Sequence, residues 1–546
     1  MTGPVPGGEA GARGAAAAAR RPVVLIAEEL SPTAVAALGP DVEVRDRSGA
    51  GRDALLRELA DADAVLVRGA TRIDAEALAA APRLEVIATA GAGVGAVDVS
   101  AATAAGVMVV NAPTAHAVSA AELAVGLLLA VARGIPRADA SPPVGHPPGA
   151  RPAGMELADK VLGLVGLGPV GSAVARRMRA FAMEVIAYDP AAAAGHAEAE
   201  GVTLVTLDEL LVRADLVSVH LPGTAVHRGL LGFEALHRVR PGVRLVDVTG
   251  GGTVDQTELY AALKEGRVAA AGIEAPADSP LAELETVVVT SELAGHTPEA
   301  EERAGVSAAT SVRRVLGGEV VPEAVNVRAG EVPRALLPWL PLTERLAALV
   351  TAAAGGLPTR LEIVAGGGLA RHEAAAPVLA ALELAALKGT LTGAGPTRLS
   401  YVNAPALAEE RGVTAVATAA PEPGGGSSVA VRTALPGGED VSVTGDLMEP
   451  GGTVRLVEIC GRPLDFPLVG ETLFLRCRDA AGALGRLGAA LGRGGVRITS
   501  MRLARTAPGG GAIVVLGVDR PVSPDLLAEA ADAVGATHWW TLNGGG

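Results

Sequence analysis

VLGLVGLGPVGSAVARRMRAFAMEVIAYD, residues 161–189, decides the fold. A buried-strand pattern runs into Gly166, Gly168 and Gly171, then into a helical Ala/Arg stretch, then into a second apolar run that ends on Asp189. Strand, glycines, helix and acid in that order form a dinucleotide-binding unit. Gly166 permits the tight turn, Gly168 lets backbone N–H groups approach a pyrophosphate, and Gly171 allows the helix to lie close to the strand. Pro169 and Val170 sit inside the same turn. Asp189 follows Gly171 by 18 residues. A carboxylate there accepts from ribose hydroxyls and repels a 2′-phosphate, so the cofactor expected is NAD.

Outward from this unit the alternation continues. Before it, from Pro22 to Pro113, the runs VVLIA, VEVR, AVLVR, LEVIATAG and VMVVNAP read as strands, and Ala/Leu-rich segments between them read as helices. One of these helices opens on Ser31, a side chain suited to capping. Such alternation predicts a parallel, doubly wound sheet. A helix is expected from about Ser119 to Arg133, followed by the Pro/Gly-rich stretch 141–154 as a hinge. After residue 189, VSVHLP, VRLVDVTG, AAAGIEA and VVVTS extend the second series. A helix over 298–318 should return the chain to the first domain.

Composition shifts after Val327. Residues 338–468 mix helices and strands as an α+β module does, and from Thr472 the pattern is β-α-β-β-α-β, the ferredoxin-like order. The expected division is a disordered tail at 1–20, a first domain at 21–118 with 300–327, a Rossmann domain at 119–299, an α+β domain at 328–468 and a ferredoxin-like domain at 469–546. The fold class is therefore α/β, with flavodoxin-like and Rossmann sheets followed by two α+β modules.

Composition narrows the partners. The 546 residues are too many for one core. Acidic residues outnumber basic ones by 60 to 46, and the net charge of −14 disfavours nucleic acid and anionic membrane. The apolar run 123–132 is about half a membrane span and reads as a buried helix. Two cysteines, Cys460 and Cys477, are too few for a disulfide framework or zinc site, and no metal site is expected. The first 20 residues lack the apolar stretch of a secretory signal, which leaves a cytoplasmic protein as the expectation.

At this point the chain resembles the D-isomer-specific 2-hydroxyacid dehydrogenases, in the long D-3-phosphoglycerate dehydrogenase form with an intervening domain and a C-terminal ACT domain. The resemblance rests on VRGATRIDAEALAAAP (67–82), VVNAPTAHAVSAAE (109–122), VGLGPVG (165–171), VHLPGT (219–224), VPEAVNV (321–327) and YVNAPALAEERGV (401–413). It implies NAD-dependent oxidation of a 2-hydroxy acid in serine biosynthesis, a homo-oligomer, and serine control through the ACT domain. It also implies cofactor contacts from His220, Pro222 and Thr224, and substrate contacts from Arg68 and Asn111.

The catalytic stretches break this pattern. Oxidising a 2-hydroxy acid requires a base, a carboxylate that holds the base charged, and a cation on the substrate oxygens. The family supplies His, Glu and Arg. Here DVTGGGTVD places Gly250 at the Arg position, and TSELAGH places Glu292 at the His position. After GIEA, residues 275–277 lead directly to DSPL, so the loop bearing the Glu is missing. Thr89 replaces a further cation, and Gly95 with Ala96 replaces a polar pair. His116 and Glu292 are the spare candidates for a base, while His296 reads as a surface or capping residue. In the ACT-like segment Asp479 and Gly482 match the effector turn, but Arg476 and Arg497 replace His and Asn.

Two functions remain open from the sequence. One is an NAD(H)-binding protein without the family's chemistry and with a regulatory role, as a homo-oligomer or in a hetero-oligomer with an active paralogue, and with a small anion as a second ligand. The other is an active dehydrogenase with a rebuilt site.

Overall fold

The computed structural model describes residues 20–135, 154–221, 226–276, 278–327, 333, 336–371, 375–392, 398–420, 426–434, 440–448, 453–505 and 511–542. Arg20, which composition assigns to the tail, is tied to the body of the protein. It donates to the Asp63 carboxylate at 2.9 Å and to the Asp61 carbonyl.

The first sheet holds β1 (Val23–Ile26), β2 (Glu43–Asp46), β3 (Ala64–Val67), β4 (Val86–Thr89) and β5 (Met108–Val110). All five are parallel, in the order β2-β1-β3-β4-β5. β1, β3, β4 and β5 are buried throughout, as expected of continuous Val/Ile/Leu runs covered on both faces. Ser31 caps the first helix by accepting from the Ala34 N–H.

The helix Ala117–Arg133 leads to the second sheet and packs across it, with Leu127 against Gly272. This sheet holds β6 (Val161–Val165), β7 (Glu184–Tyr188), β8 (Thr203–Leu204), β9 (Leu216–Val219), β10 (Val243–Asp247), β11 (Val268–Glu274) and β12 (Val287–Thr290). Its order is β12-β11-β10-β9-β6-β7-β8, again all parallel. The direction of winding reverses between β6 and β9, and such a switch point opens a crevice beyond the carboxyl ends of the strands. The helix Pro298–Leu316, capped by Thr297, returns to the first domain as expected. Its Gly305 lies so close to Ala34 that an added Cβ would come within 2.8 Å.

The third sheet holds β13 (Arg360–Gly366), β14 (Thr414–Ala420), β15 (Ser428–Ala434), β16 (Asp440–Met448), β17 (Thr453–Ile459) and β18 (Arg462–Pro467), in the order β14-β13-β15-β16-β17-β18. The fourth holds β19 (Glu471–Arg478), β20 (Ile498–Arg505), β21 (Gly511–Val518) and β22 (His538–Leu542), in the order β20-β21-β19-β22. With helices at Ala483–Arg493 and Pro524–Val534, this is the ferredoxin-like plan. Its helix-free face is covered. Phe474, Ile513, Val515 and Trp540 share one apolar cluster with Leu346, Val443 and Phe466 of the preceding domain. That preceding domain is also fastened to the first one, where Arg398 donates to the carbonyls of Arg83 and Leu84 and pairs with Glu85.

Candidate functional site

The glycine turn after β6 fits a dinucleotide. Gly166 has φ +110°, and a Cβ there would lie 2.8 Å from the Leu221 nitrogen. A Cβ on Gly171 would lie 2.2 Å from the Gly166 carbonyl oxygen, so helix and turn are as close as glycine allows. Gly168, by contrast, has nothing within 4 Å of its would-be Cβ. It caps the helix Pro169–Arg179, whose first position is Pro169 and whose cap has no side-chain acceptor. Open space at uncapped N–H groups is what an approaching pyrophosphate requires. Val170 packs behind the turn against the core. Asp189 accepts from Leu167 N–H through one oxygen and from Ala191 N–H through the other, both at 2.8 Å. Each oxygen keeps a lone pair for a ribose hydroxyl.

His220 follows β9 across the switch point. Its Nε2 lies 2.9 Å from Ser218 Oγ, while its Nδ1 is buried without a hydrogen-bond partner among the described residues. Burial pushes its pKa down to about 4, so the ring is neutral at physiological pH. Pro222 and Thr224 lie outside the described residues.

The other wall of the crevice is chemically unlike this one. The loop after β10 carries Gly250, Gly251 and Gly252, all at positive φ, and nothing lies within 4 Å of a Cβ built on Gly250. Carboxylates lie at or just past the ends of three adjacent strands, β10, β11 and β12. Asp247 ends β10, buried, and accepts from Thr249 N–H at 2.9 Å and Thr249 Oγ at 2.7 Å. Burial raises its pKa, the Thr249 hydrogen bonds oppose that rise, and the charge of Glu274 adds to it. Glu274 ends β11, also buried, and accepts from the Ala294 N–H at 2.7 Å. Glu292, just after β12, is exposed and sits at φ +51°, a conformation few side chains adopt. Sequence reading singled out Glu292 but missed Asp247 and Glu274, because the strand register that aligns them is not visible in one chain.

His116 caps the helix Ala117–Arg133 and places Nδ1 3.2 Å from the Gly295 carbonyl. A carbonyl only accepts, so Nδ1 carries a proton in this contact. Its neighbours are close, since a Cβ on Gly295 would lie 2.9 Å from Nδ1. One turn on, Ser119 Oγ bonds Thr297 Oγ at 2.8 Å. Asn111 donates to the Ala92 carbonyl at 2.6 Å. Arg68 pairs with Glu301 at 3.0 Å, and His296 approaches the same carboxylate at 3.5 Å. Thr89, in the place of a cation, is buried with its hydroxyl unpartnered among the described residues.

In the C-terminal domain Asp479 is bonded to Arg505 at 2.8 Å, and Gly482, at φ +76°, caps the helix Ala483–Arg493. They border a cavity of about 340 Å³ that also reaches Cys477 and Leu503. Arg497 turns away to Asp519. Among the described residues no group of three His, Cys, Asp or Glu is placed to hold a metal, and no helix is long and apolar enough to cross a membrane.

Comparison with known proteins agrees with this architecture. Residues 125–294 match the NAD-binding domain of the D-isomer specific 2-hydroxyacid dehydrogenases. The D-3-phosphoglycerate dehydrogenase of Mycobacterium tuberculosis is 45% identical over 521 residues, covering 94% of this chain and 98% of its own. That of Methanocaldococcus jannaschii is 34% identical, covering 93% and 97%. Among solved structures, D-mandelate dehydrogenase of Rhodotorula graminis aligns at a TM-score of 0.51 with 26% identity, over 57% of this chain and 99% of that one. The chain thus belongs to the D-isomer-specific 2-hydroxyacid dehydrogenase family, as a D-3-phosphoglycerate dehydrogenase-like member that uses NAD.

Proposed function

We propose that this protein binds NAD(H) and does not carry out the family's oxidation of an anionic 2-hydroxy acid. Bound NAD supplies a hydride acceptor; everything else must come from the chain. Gly166, Gly168 and Gly171 cradle the pyrophosphate, Asp189 holds the ribose, and neutral His220 lines the floor beneath the turn. One observation carries the reading. Where a 2-oxo acid needs a guanidinium, the loop after β10 has open space at Gly250, and the ends of β10 to β12 carry Asp247, Glu274 and Glu292 and, among the described residues, no cation. Acidic groups there do not polarise such a substrate's carbonyl as a cation would. Losing one acid–base group costs roughly 10²–10⁴ in rate and one oxyanion stabiliser about 10²–10³, without simple additivity.

The remaining modules suit a regulatory role. Residues 21–118 with 300–327 form the former substrate domain, 119–299 the cofactor domain, 328–468 the intervening domain, and 469–546 an ACT-type domain. The cavity beside Asp479 and Gly482 is its effector pocket, narrowed by the Asp479–Arg505 pair. The protein works in the cytoplasm as a homo-oligomer or beside an active paralogue.

The rival reading, a rebuilt dehydrogenase, draws on the free Nε2 of His116. NADH binding followed by fluorescence, together with NADH oxidation by 3-phosphohydroxypyruvate at high protein concentration, separates them. The expected outcome is saturable binding without turnover. Turnover abolished by His116→Ala or Glu292→Gln would overturn the proposal.

A further inference from the structure

The glycine turn after β6 is also held by a residue that lies outside its sequence pattern. His196 sits on the short helix Ala194–Glu200, which follows β7 and Asp189. Its Nε2 lies 3.3 Å from the Leu167 carbonyl and 3.1 Å from Ser172 Oγ. A carbonyl only accepts, so Nε2 carries a proton in this contact. The buried Ser172 hydroxyl donates to the same carbonyl at 3.1 Å. On its other side the Leu167 N–H donates to Asp189 Oδ2 at 2.8 Å. Leu167, its side chain buried in the core, is therefore gripped at both backbone polar atoms.

The carbonyl matters because it shares one peptide group with the Gly168 N–H. That unit is planar and trans, so its N–H points opposite to its C=O. Holding the oxygen toward His196 aims the N–H away from it, at a residue whose Cβ position is open. Donors on the oxygen also polarise the peptide and strengthen its N–H as a donor. Sterics fix Gly166 and Gly171 but not this peptide plane, because Gly168 meets no neighbour and glycine tolerates many backbone angles. We infer that His196 is a positioning residue for the cofactor. Through the Leu167 carbonyl it locks the 167–168 peptide in the orientation that presents the Gly168 N–H to the pyrophosphate. The inference deepens the NAD(H)-binding reading and rests on it. Ser172 holds the same oxygen, so loss of His196 loosens the peptide without freeing it.

The test uses the full chain, as wild type, His196→Ala and His196→Gln, titrated with NADH by fluorescence and with adenosine by calorimetry. Adenosine keeps the base and ribose and lacks the pyrophosphate. His196→Ala should weaken NADH binding about fivefold, the worth of one net hydrogen bond. Its adenosine affinity should stay within about twofold of wild type, since His196 is exposed and its removal disturbs little else. Glutamine carries its amide nitrogen as far along the side chain as Nε2 and can donate to the same carbonyl. His196→Gln should therefore return NADH affinity to within about twofold of wild type. A loss shared equally by NADH and adenosine, or one that glutamine does not restore, would make His196 a general support of the fold and sink the inference. It fails as well if His196→Ala binds NADH like wild type. Wild type that binds no NADH would overturn the cofactor reading and this inference together, which keeps the two failures distinguishable.

Discussion

The two walls of the crevice above the second sheet are built by the same device, a glycine-rich turn after a parallel strand, and they have diverged. After β6 the glycines are compressed, with Gly171 closed against the Gly166 carbonyl and His220 buried beneath. After β10 the glycines are slack, with positive φ at Gly250, Gly251 and Gly252, and with empty space where Gly250 would carry a side chain. Steric necessity keeps Gly166 and Gly171 in the first turn, because a Cβ on either would collide with backbone. No neighbour contact keeps Gly250 in the second; only its positive φ favours glycine there. A side chain at 250 would find room, whereas one at 171 would not.

The comparison can be broken most sharply by acid. His220 is held neutral at a pKa of about 4 against an ordinary 6.5. The folded value is the lower one, so stability is complete above pH 6.5 and declines as pH falls toward 4, by roughly 3 kcal/mol. Urea denaturation between pH 7 and 4 should reveal this loss, and His220→Asn should flatten it. A flat wild-type profile would contradict a neutral, buried His220.

Next in size is a matched pair. Gly171→Ala forces overpacking that costs about 1–3 kcal/mol, and to the extent that the strain distorts the cofactor turn, NADH affinity falls by roughly 5–150-fold. Gly250→Ala, the same change on the slack wall, should leave NADH affinity within about twofold, since it meets no neighbour. Equal losses in a fluorescence titration would erase the distinction between the walls.

A restored cation gives a smaller effect. Gly250→Arg should improve binding of 3-phosphohydroxypyruvate by about tenfold, or 1.4 kcal/mol, without conferring turnover, because no base accompanies it. Competition with NADH oxidation by an unrelated enzyme's pool is unnecessary; direct calorimetry suffices. Smallest is Glu292→Gly. Relieving the left-handed backbone at residue 292 should raise stability by about 0.5–1 kcal/mol, read as a modest rise in Tm.

The sequence carried most of the architecture, for definite reasons. Parallel strands buried on both faces announce themselves as Val/Ile/Leu runs, and Ser31 and Asp189 mark a helix start and a strand end by chemistry that acts within a few residues. Gly250 and Glu292 stood out in the sequence because the motifs around them resemble those of the family. What stayed hidden depends on distance along the chain. Glu28 meets loop 68–71 across 40 residues, and the nearness of Asp247 to the end of β11, where it pairs with Ile273 beside Glu274, needs the β10–β11 register. His116 was legible as a spare histidine but not as a ring committed to the Gly295 carbonyl, 179 residues away.

The apolar cluster shared by the third and fourth sheets has a consequence for how the protein comes apart. Phe474 and Trp540, parallel at 5.7 Å between centroids, lie against Phe466 and Leu346 with no solvent layer between the two sheets. Two segments that bury one another this way melt as a single cooperative block. Cutting the chain near residue 469 would therefore not release an autonomous C-terminal fragment. Each piece would display a raw apolar face, and proteolysis or heating should remove residues 338–542 together or not at all.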